Sequence, residues 1–199
     1  LSMIFPAVYV AVATWHTSLL PTKLVLSMAE ARQGVPFPAL GEILLMEISF
    51  ELLKEAGIRL PGPMGNTIGI VGGLLIGQAA VDASLVSPIV VIVVAFTALC
   101  SFAIPNEEFA SAFRILKYGC IFMGAWLGLY GVVLSGLWVL IHLSHLNSFG
   151  IPYLMPYVAA DVNGYEDKKD SLFRFPLKYC VRRPIFARRG ERIKLRKRD

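Results

Sequence analysis

Four glycines recur at every fourth position of one apolar stretch, at residues 65, 69, 73 and 77. At helical pitch these positions form one narrow stripe along a helix. Each glycine inside a helix costs about 1 kcal/mol relative to alanine, so such a helix is a poor choice for a water-soluble protein. In a bilayer, small residues spaced four apart allow neighbouring backbones to approach closely. The stripe of Gly65, Gly69, Gly73 and Gly77 therefore predicts close helix packing in a membrane protein.

Composition indicates the same class of protein. Hydrophobic residues make up 56% and charged residues 17% of the chain, and the mean hydropathy is +0.63, whereas charged residues make up about 25% of a typical soluble domain. The three cysteines give no disulfide framework, and the two in apolar stretches are expected to be buried thiols. The chain begins inside an apolar run and without a methionine, so we expect a preceding N-terminal portion.

Apolar runs predict an all-α, polytopic membrane domain over residues 1–160. A helix needs about 20 residues to cross the hydrocarbon core of ~30 Å. Stretches that approach this length, bounded by proline or polar residues, are 1–20, 65–81, 88–104 and 118–143. Ser87 followed by Pro88 is a typical helix start. Residues 106–117 lie between the last two stretches, and we expect them to form a polar link with a short amphipathic turn at the interface, because they hold four charged side chains: Glu107, Glu108, Arg114 and Lys117. With these four spans, both ends of the domain lie on the same side of the membrane.

One predicted helix, 39–57, carries too many charges for a lipid-exposed span. Five charged side chains lie in residues 42–55, and each costs at least about 2.5–3.5 kcal/mol at the bilayer centre. The helix therefore lies at the interface as a solvated amphipathic helix, re-enters against other helices, or faces water in a pore. If it also crosses the membrane, the two ends of the domain lie on opposite faces. In the pore alternative we expect Glu47, Glu51 and Glu55 along an ion path, since acidic rings favour cations.

The end of the chain, residues 161–199, holds 13 of the 19 Lys and Arg residues. The positive-inside rule and attraction to anionic lipid predict that this tail is cytoplasmic. Lipid headgroup contact is expected from Arg182, Arg183, Arg188 and Arg189. Phosphate neutralisation on nucleic acid is the alternative explanation of such a cluster, but its position after a predicted span favours lipid, and we expect no nucleic-acid partner.

Motifs of catalysis are absent from the sequence, which contains no Walker loop, no H-E-x-x-H and no G-x-S-x-G. His142 and His145 are three residues apart on one predicted helix face, but no carboxylate or cysteine lies nearby in sequence to complete a metal site. We therefore expect a protein that is not an enzyme and has neither a metal site nor a cofactor.

Several stretches of the chain resemble one known family. They are P-F-P-A-L-G-E-I-L-L-M-E-I-S-F-E-L-L-K-E-A-G-I-R-L-P (36–61), I-V-G-G-L-L-I-G-Q-A-A-V (70–81), V-S-P-I-V-V-I-V-V-A-F-T-A-L-C-S-F (86–102) and S-F-G-I-P-Y-L-M-P (148–156). The pattern is similar to that of the GerA-type spore germination proteins, the A subunits of nutrient germinant receptors, and it extends to about residue 184.

The resemblance implies a protein of the spore inner membrane that works with a transporter-like B subunit and a lipoprotein C subunit. It also implies self-association, as a ring, into an ion channel that opens when nutrient binds the B subunit. Members of the family normally carry a large soluble N-terminal domain. The SpoVAF-type relatives share the same motifs, so a non-conducting scaffold or a SpoVAF-like accessory of the germination complex stays the alternative.

Overall fold

The computed structural model describes residues 1–59, 63–104, 107–148 and 151–154. Within these residues the chain forms seven α-helices, one 3-10 turn and one pair of two-residue strands. The helices are α1 Ile4–Trp15, α2 Thr22–Ala31, α3 Ala39–Arg59, α4 Pro63–Asp82, α5 Pro88–Phe102, α6 Glu107–Leu127 and α7 Leu129–His145. The 3-10 turn Thr17–Leu19 follows α1, and β1 (Asn147–Ser148) pairs antiparallel with β2 (Ile151–Pro152). The expected helical architecture is therefore confirmed for the described part of the chain.

Local sequence signals account for the bounds of two central helices. Pro88 is the first residue of α5 and Ser87 is its N-cap, as the sequence predicts. Proline is favoured at this position because its missing N–H would have no helical partner there. The predicted helix 39–57 is also present, since α3 begins at Ala39 and continues to Arg59.

An apolar core holds the first compact unit, Leu1–Leu137, together. α1 lies against α6 and also contacts α3 and α5, while α3 packs along α4. The most deeply buried apolar residues include Ala7, Val10, Ala11, Ile43, Met46, Val90, Val94 and Ile121. Burial of a side chain of the size of Val, Ile or Met contributes about 1.5–3 kcal/mol, so this core fixes the helices whose polar residues are described below.

The second compact unit is Trp138–Asp199. Within its described part, the Trp138 and His142 rings stack with centroids 6.0 Å apart at the end of α7. The backbone N–H of Tyr153 donates to the Leu146 carbonyl at 2.9 Å. This bond joins the two-stranded turn to the end of α7.

The first predicted span, 1–20, is not one continuous helix. α1 ends at Trp15, and the chain passes through the 3-10 turn before α2 begins. The Trp15 indole N–H donates to the carbonyl of Ala125 on α6 at 2.8 Å, which fixes this end of α1 to α6. Sequence analysis did not predict α2, in which no residue is buried.

The last predicted span, 118–143, is also interrupted. α6 begins at Glu107, so the stretch expected to be a polar link is the first half of this helix. Gly128 follows α6 with a φ of +66°, a left-handed conformation that favours glycine, and α7 begins at the next residue. A Cβ at Gly128 would lie 2.7 Å from the His16 ring. Both the backbone conformation and this close contact therefore require glycine at the break.

The predicted stretches 65–81 and 88–104 correspond to α4 and α5. Within the described residues, no helix taken by itself has both the length and the apolar character that a membrane span requires. The four-span arrangement stays a prediction, and the basic tail, 161–199, lies outside the described residues.

Candidate functional site

The three acidic residues expected along an ion path lie on α3 at four-residue intervals, and we call them the acid column: Glu47, Glu51 and Glu55. Residues four apart on a helix lie one above the other. Their side chains are 3%, 21% and 45% exposed, respectively. The acid column therefore runs from the interior of the first unit to its surface.

α6 places two cations against the acid column. Arg114 Nε is 2.6 Å from Glu51 Oε1, and Arg114 Nη1 is 3.9 Å from Glu55 Oε2. Lys117 Nζ is 2.5 Å from Glu47 Oε2 and 3.9 Å from Glu51 Oε2. The two basic side chains are only 26% and 10% exposed. Each cation thus bridges two successive carboxylates in a partly or fully buried position.

Arg114 and Lys117 lie in the predicted link between two spans, so neither was expected in the site. Their spacing of three residues places both on one helix face, just as the spacing of four does for the acid column. That periodicity is the signal that could have identified them. Their partners are far away in sequence, since Lys117 and Glu47 are 70 residues apart.

Glu47 is the most buried member of the acid column, on a helix that the sequence places outside the four predicted spans. Burial raises the pKa of its carboxyl above the ordinary glutamate value, and the Lys117 ammonium opposes part of that rise. The neighbouring Glu51 carboxylate adds to the rise by like-charge repulsion. Glu47 Oε2 accepts a hydrogen bond from Lys117, whereas Glu47 Oε1 is buried without a hydrogen-bond partner among the described residues.

A second buried carboxylate, Glu42, joins three elements near the start of α3. Its side chain is fully buried. Oε1 accepts a hydrogen bond from Arg32 Nε at 3.2 Å, and Oε2 accepts one from the backbone N–H of Ser87 at 2.8 Å. Sequence analysis counted Glu42 among the charges of this helix but assigned it no role.

The bond to Ser87 replaces a local capping interaction. In a capping box, the third residue of a helix is Glu or Gln, and its side chain accepts from the N-cap N–H. The third residue of α5 is the apolar Val90, and the Ser87 hydroxyl makes no cap bond of its own. Glu42 on α3 supplies the missing acceptor for the Ser87 N–H. The start of α5 is therefore fixed by a contact with α3.

Two glycines of the predicted stripe on α4 lie against two different helices. A Cβ at Gly73 would lie 3.1 Å from the Phe50 ring of α3, and a Cβ at Gly77 would lie 3.1 Å from Val91 of α5. Contacts of this kind are tighter than ordinary side-chain packing permits. At these two positions the absence of a side chain allows the neighbouring helix to lie close.

The other two positions of the stripe differ. A Cβ at Gly69 would meet no atom within 4 Å, and Gly65 lies in the first turn of α4. Gly72, which the four-residue spacing omits, makes a closer approach, because its Cβ would lie 2.9 Å from Leu53 of α3. The glycines that face α3 are therefore an adjacent pair rather than a single stripe.

Large apolar side chains are exposed on α4, α5, α6 and α7. Examples with their exposed fractions are Leu74 at 72%, Ile92 at 68%, Ile115 at 75%, Trp126 at 78% and Tyr130 at 77%. Large exposed apolar areas mark surfaces that contact a membrane or another protein. These helices therefore present side chains suited to an apolar environment.

Two further predictions concern metal ligation, which the sequence does not predict, and lipid contact by the basic tail. Among the residues that the structure describes, no three His, Cys, Asp or Glu side chains form a group that could hold a metal ion. The predicted lipid-contacting residues lie outside the described ranges: Arg182, Arg183, Arg188 and Arg189.

Comparison with known proteins gives matches along most of the chain. Residues 1–186 match the family described as Bacillus/Clostridium GerA spore germination protein. The chain is 46% identical to spore germination protein GerLA of Bacillus cereus over 94% of this chain and 37% of that relative. It is 43% identical to spore germination protein KA of Bacillus subtilis (strain 168) over 98% of this chain and 35% of that relative. It is also 43% identical to the uncharacterized membrane protein YfkQ of the same strain, over 100% of this chain and 38% of that relative.

The chain thus spans between 35% and 38% of the length of these three relatives. No solved structure matches it. The family match extends from α1 through the described helices into the basic tail. The chain belongs to the GerA family of spore germination proteins.

Proposed function

We propose that this chain is a non-enzymatic membrane subunit of a nutrient germinant receptor, and that copies of it assemble into an ion channel that nutrient opens. Membership of the GerA family supports a role in germination. The acid column is the observation that carries the channel function. Its carboxylates are aligned on one helix face and pass from a buried to an exposed position. Carboxylates aligned in this way favour cations over anions.

The exposed apolar side chains of α4 to α7 support a location in the spore inner membrane. One relative, YfkQ, is named a membrane protein. Short or interrupted helices occur at membrane depth where they are packed against protein or line a water-filled cavity, and the short helix α1 packs against α6, α3 and α5. On this proposal the basic tail, 161–199, is cytoplasmic and contacts anionic lipid headgroups.

The proposed partners are the B and C subunits of the receptor, further copies of this chain and anionic lipid. Neither a nucleic acid nor a cofactor takes part. Because the chain spans 35% to 38% of the relatives' length, the function is to be tested on the full-length protein in spores that depend on it for germination.

Replacement of Glu47 and Glu51 by Gln tests the channel function. These changes keep the side-chain shape and remove two charges of the acid column, so release of monovalent cations after nutrient addition should slow markedly. Glu30→Gln is the matched control, because it removes an exposed carboxylate on α2. Unchanged release from the double variant, with normal protein level in the spore membrane, would remove the acid column from the ion path.

The ion pairs of the acid column favour a second candidate function, a non-conducting scaffold or SpoVAF-like accessory. In that case Arg114 and Lys117 neutralise the carboxylates permanently, and ions pass through another subunit. Single cysteines placed along residues 40–56 separate the two functions. A channel gives periodic labelling by a water-soluble thiol reagent that changes with nutrient, whereas a scaffold gives constant labelling of one helix face.

A further inference from the structure

The acid column is matched by basic side chains along its whole length. Lys117 lies against Glu47, and Arg114 lies against Glu51. The most exposed member, Glu55, also pairs with Arg59 on α3 itself at 2.9 Å. In this arrangement the acid column has no excess of negative charge with which to attract a cation.

Lys117 lies between two carboxylates of the acid column. Its ammonium group lies within 4 Å of oxygens from both Glu47 and Glu51, and its side chain is 10% exposed. An ammonium is a compact point charge on a flexible stem. It therefore neutralises a carboxylate pair much as a bound cation does, but it is attached to α6.

We infer that Lys117, together with Arg114, is a tethered counter-ion that keeps the acid column closed to mobile cations in the absence of nutrient. This inference rests on the proposed channel function and makes these two side chains positioning residues for it. Ions pass only after α6 has withdrawn Lys117 and Arg114 from α3. The ion pairs described here correspond to the closed arrangement.

The contacts of α6 with α1 differ in kind from its contacts with the acid column. A Cβ at Gly124 would lie 2.8 Å from the Ala7 carbonyl oxygen, and Trp15 donates a hydrogen bond to the Ala125 carbonyl. These are steric and backbone contacts, which do not depend on charge. The contacts from Arg114 and Lys117 to α3 depend on charge and weaken as water enters. Loss of the charge contacts to α3 would therefore leave the contacts of α6 with α1 in place.

The test uses full-length protein carrying Lys117→Gln. Without its tethered charge, the acid column should admit cations, so spores should release monovalent cations several-fold faster than wild type before nutrient is added. Lys23→Gln, which neutralises an exposed lysine on α2, is the matched control and should leave release unchanged. The double variant Glu47→Lys with Lys117→Glu restores an opposite-charge pair and should return the nutrient-free release toward the wild-type rate.

The outcomes separate this inference from the channel proposal. If Lys117→Gln spores hold their cations as wild type does while Glu47→Gln with Glu51→Gln slows release, the counter-ion role is wrong and the channel function stands. If neither variant alters release at normal protein level, the acid column is not on the ion path, and both the counter-ion role and the observation that carries the channel proposal are lost. If Lys117→Gln fails to accumulate in the membrane, the charge-swapped double variant gives the decision. Its accumulation with wild-type release of cations before nutrient is added supports the inference, and its accumulation with faster release overturns it.

Discussion

α3 binds its neighbours through two different kinds of contact. Toward α4 it packs by shape, because Phe50 and Leu53 lie in the space that Gly73 and Gly72 leave open. Toward α6 and the start of α5 it uses carboxylates, each matched by a basic side chain or a backbone amide. Added atoms would destabilise the first kind of contact, and a change of charge would destabilise the second.

This difference indicates which contacts of α3 stay fixed and which can change in response to a signal. Close apolar packing is insensitive to pH and salt, whereas buried charge pairs depend on protonation, on competing ions and on the entry of water. A signal that separates α3 from a neighbour therefore acts most readily on its carboxylate contacts. The α3–α4 contact is expected to stay in place while the carboxylate contacts of α3 change.

Glu42→Ala is expected to have the largest effect on stability. It leaves Arg32 without its carboxylate and the Ser87 amide without its acceptor. A hydrogen bond to a charged group contributes about 1.5–3 kcal/mol, and the loss at Arg32 is the smaller of the two because its side chain is 27% exposed. The free energy of unfolding of the full-length protein in detergent or lipid nanodiscs measures this loss. Glu42→Gln is the control, since it keeps an acceptor for Ser87 and should lose less. Equal stability of Glu42→Ala and wild type would show that α5 is fixed by its apolar packing alone.

Gly73→Leu tests the shape contact and should have the next largest effect. The first added carbon alone would lie 3.1 Å from Phe50, and overpacking of a well-packed interior typically costs about 1–3 kcal/mol. Thermal unfolding and the amount of assembled complex in the spore membrane should both fall. Gly69→Ala, where nothing lies within 4 Å of an added Cβ, should be tolerated or slightly stabilising because alanine favours the helix. Normal assembly of Gly73→Leu would argue against a close α3–α4 contact.

The pH dependence of stability tests the charge contact at Glu47. Its raised folded pKa means that the folded chain binds more protons than the unfolded chain above the ordinary glutamate range, so stability should decline as pH rises through that raised value. The charged groups that act on Glu47 are Lys117 and Glu51, and both are unchanged in Glu47→Gln. Wild-type stability should therefore fall relative to Glu47→Gln as pH rises from the ordinary glutamate range through the raised pKa of Glu47. A constant difference over this range would show that Lys117 fully offsets the burial of Glu47.

Features that depend on spacing within one helix could be predicted from the sequence. The bounds of α3, the start of α5 at Ser87 and Pro88, and the glycine-lined α4 all arise from residues within a few positions of one another. The acid column is of the same kind, because residues four apart on a helix share a face whatever surrounds that helix.

The counter-ions and the helix breaks could not be predicted in the same way. Lys117 and Glu47 meet only through the packing of helices that lie 70 residues apart in sequence. Gly128 is one of several glycines in an apolar run, and only the structure shows that it has a positive φ and lies against the His16 ring. Local propensity carries no information about either contact, so sequence analysis placed Lys117 in a link and continued one helix through Gly128.

Glu55→Gln should have the smallest effect on stability. It tests whether the contribution of each acid-column residue to the free energy of unfolding decreases as its side chain becomes more exposed. The side chains of Glu55 and its partner Arg59 are 45% and 77% exposed. Exposed pairs of this kind contribute roughly 0–1 kcal/mol and are screened by salt. The free energy of unfolding should therefore differ little from wild type at low salt and should match it at high salt. A loss as large as that of Glu47→Gln would mean that the acid column acts as one coupled network, in which the exposed end contributes as much to stability as the buried end.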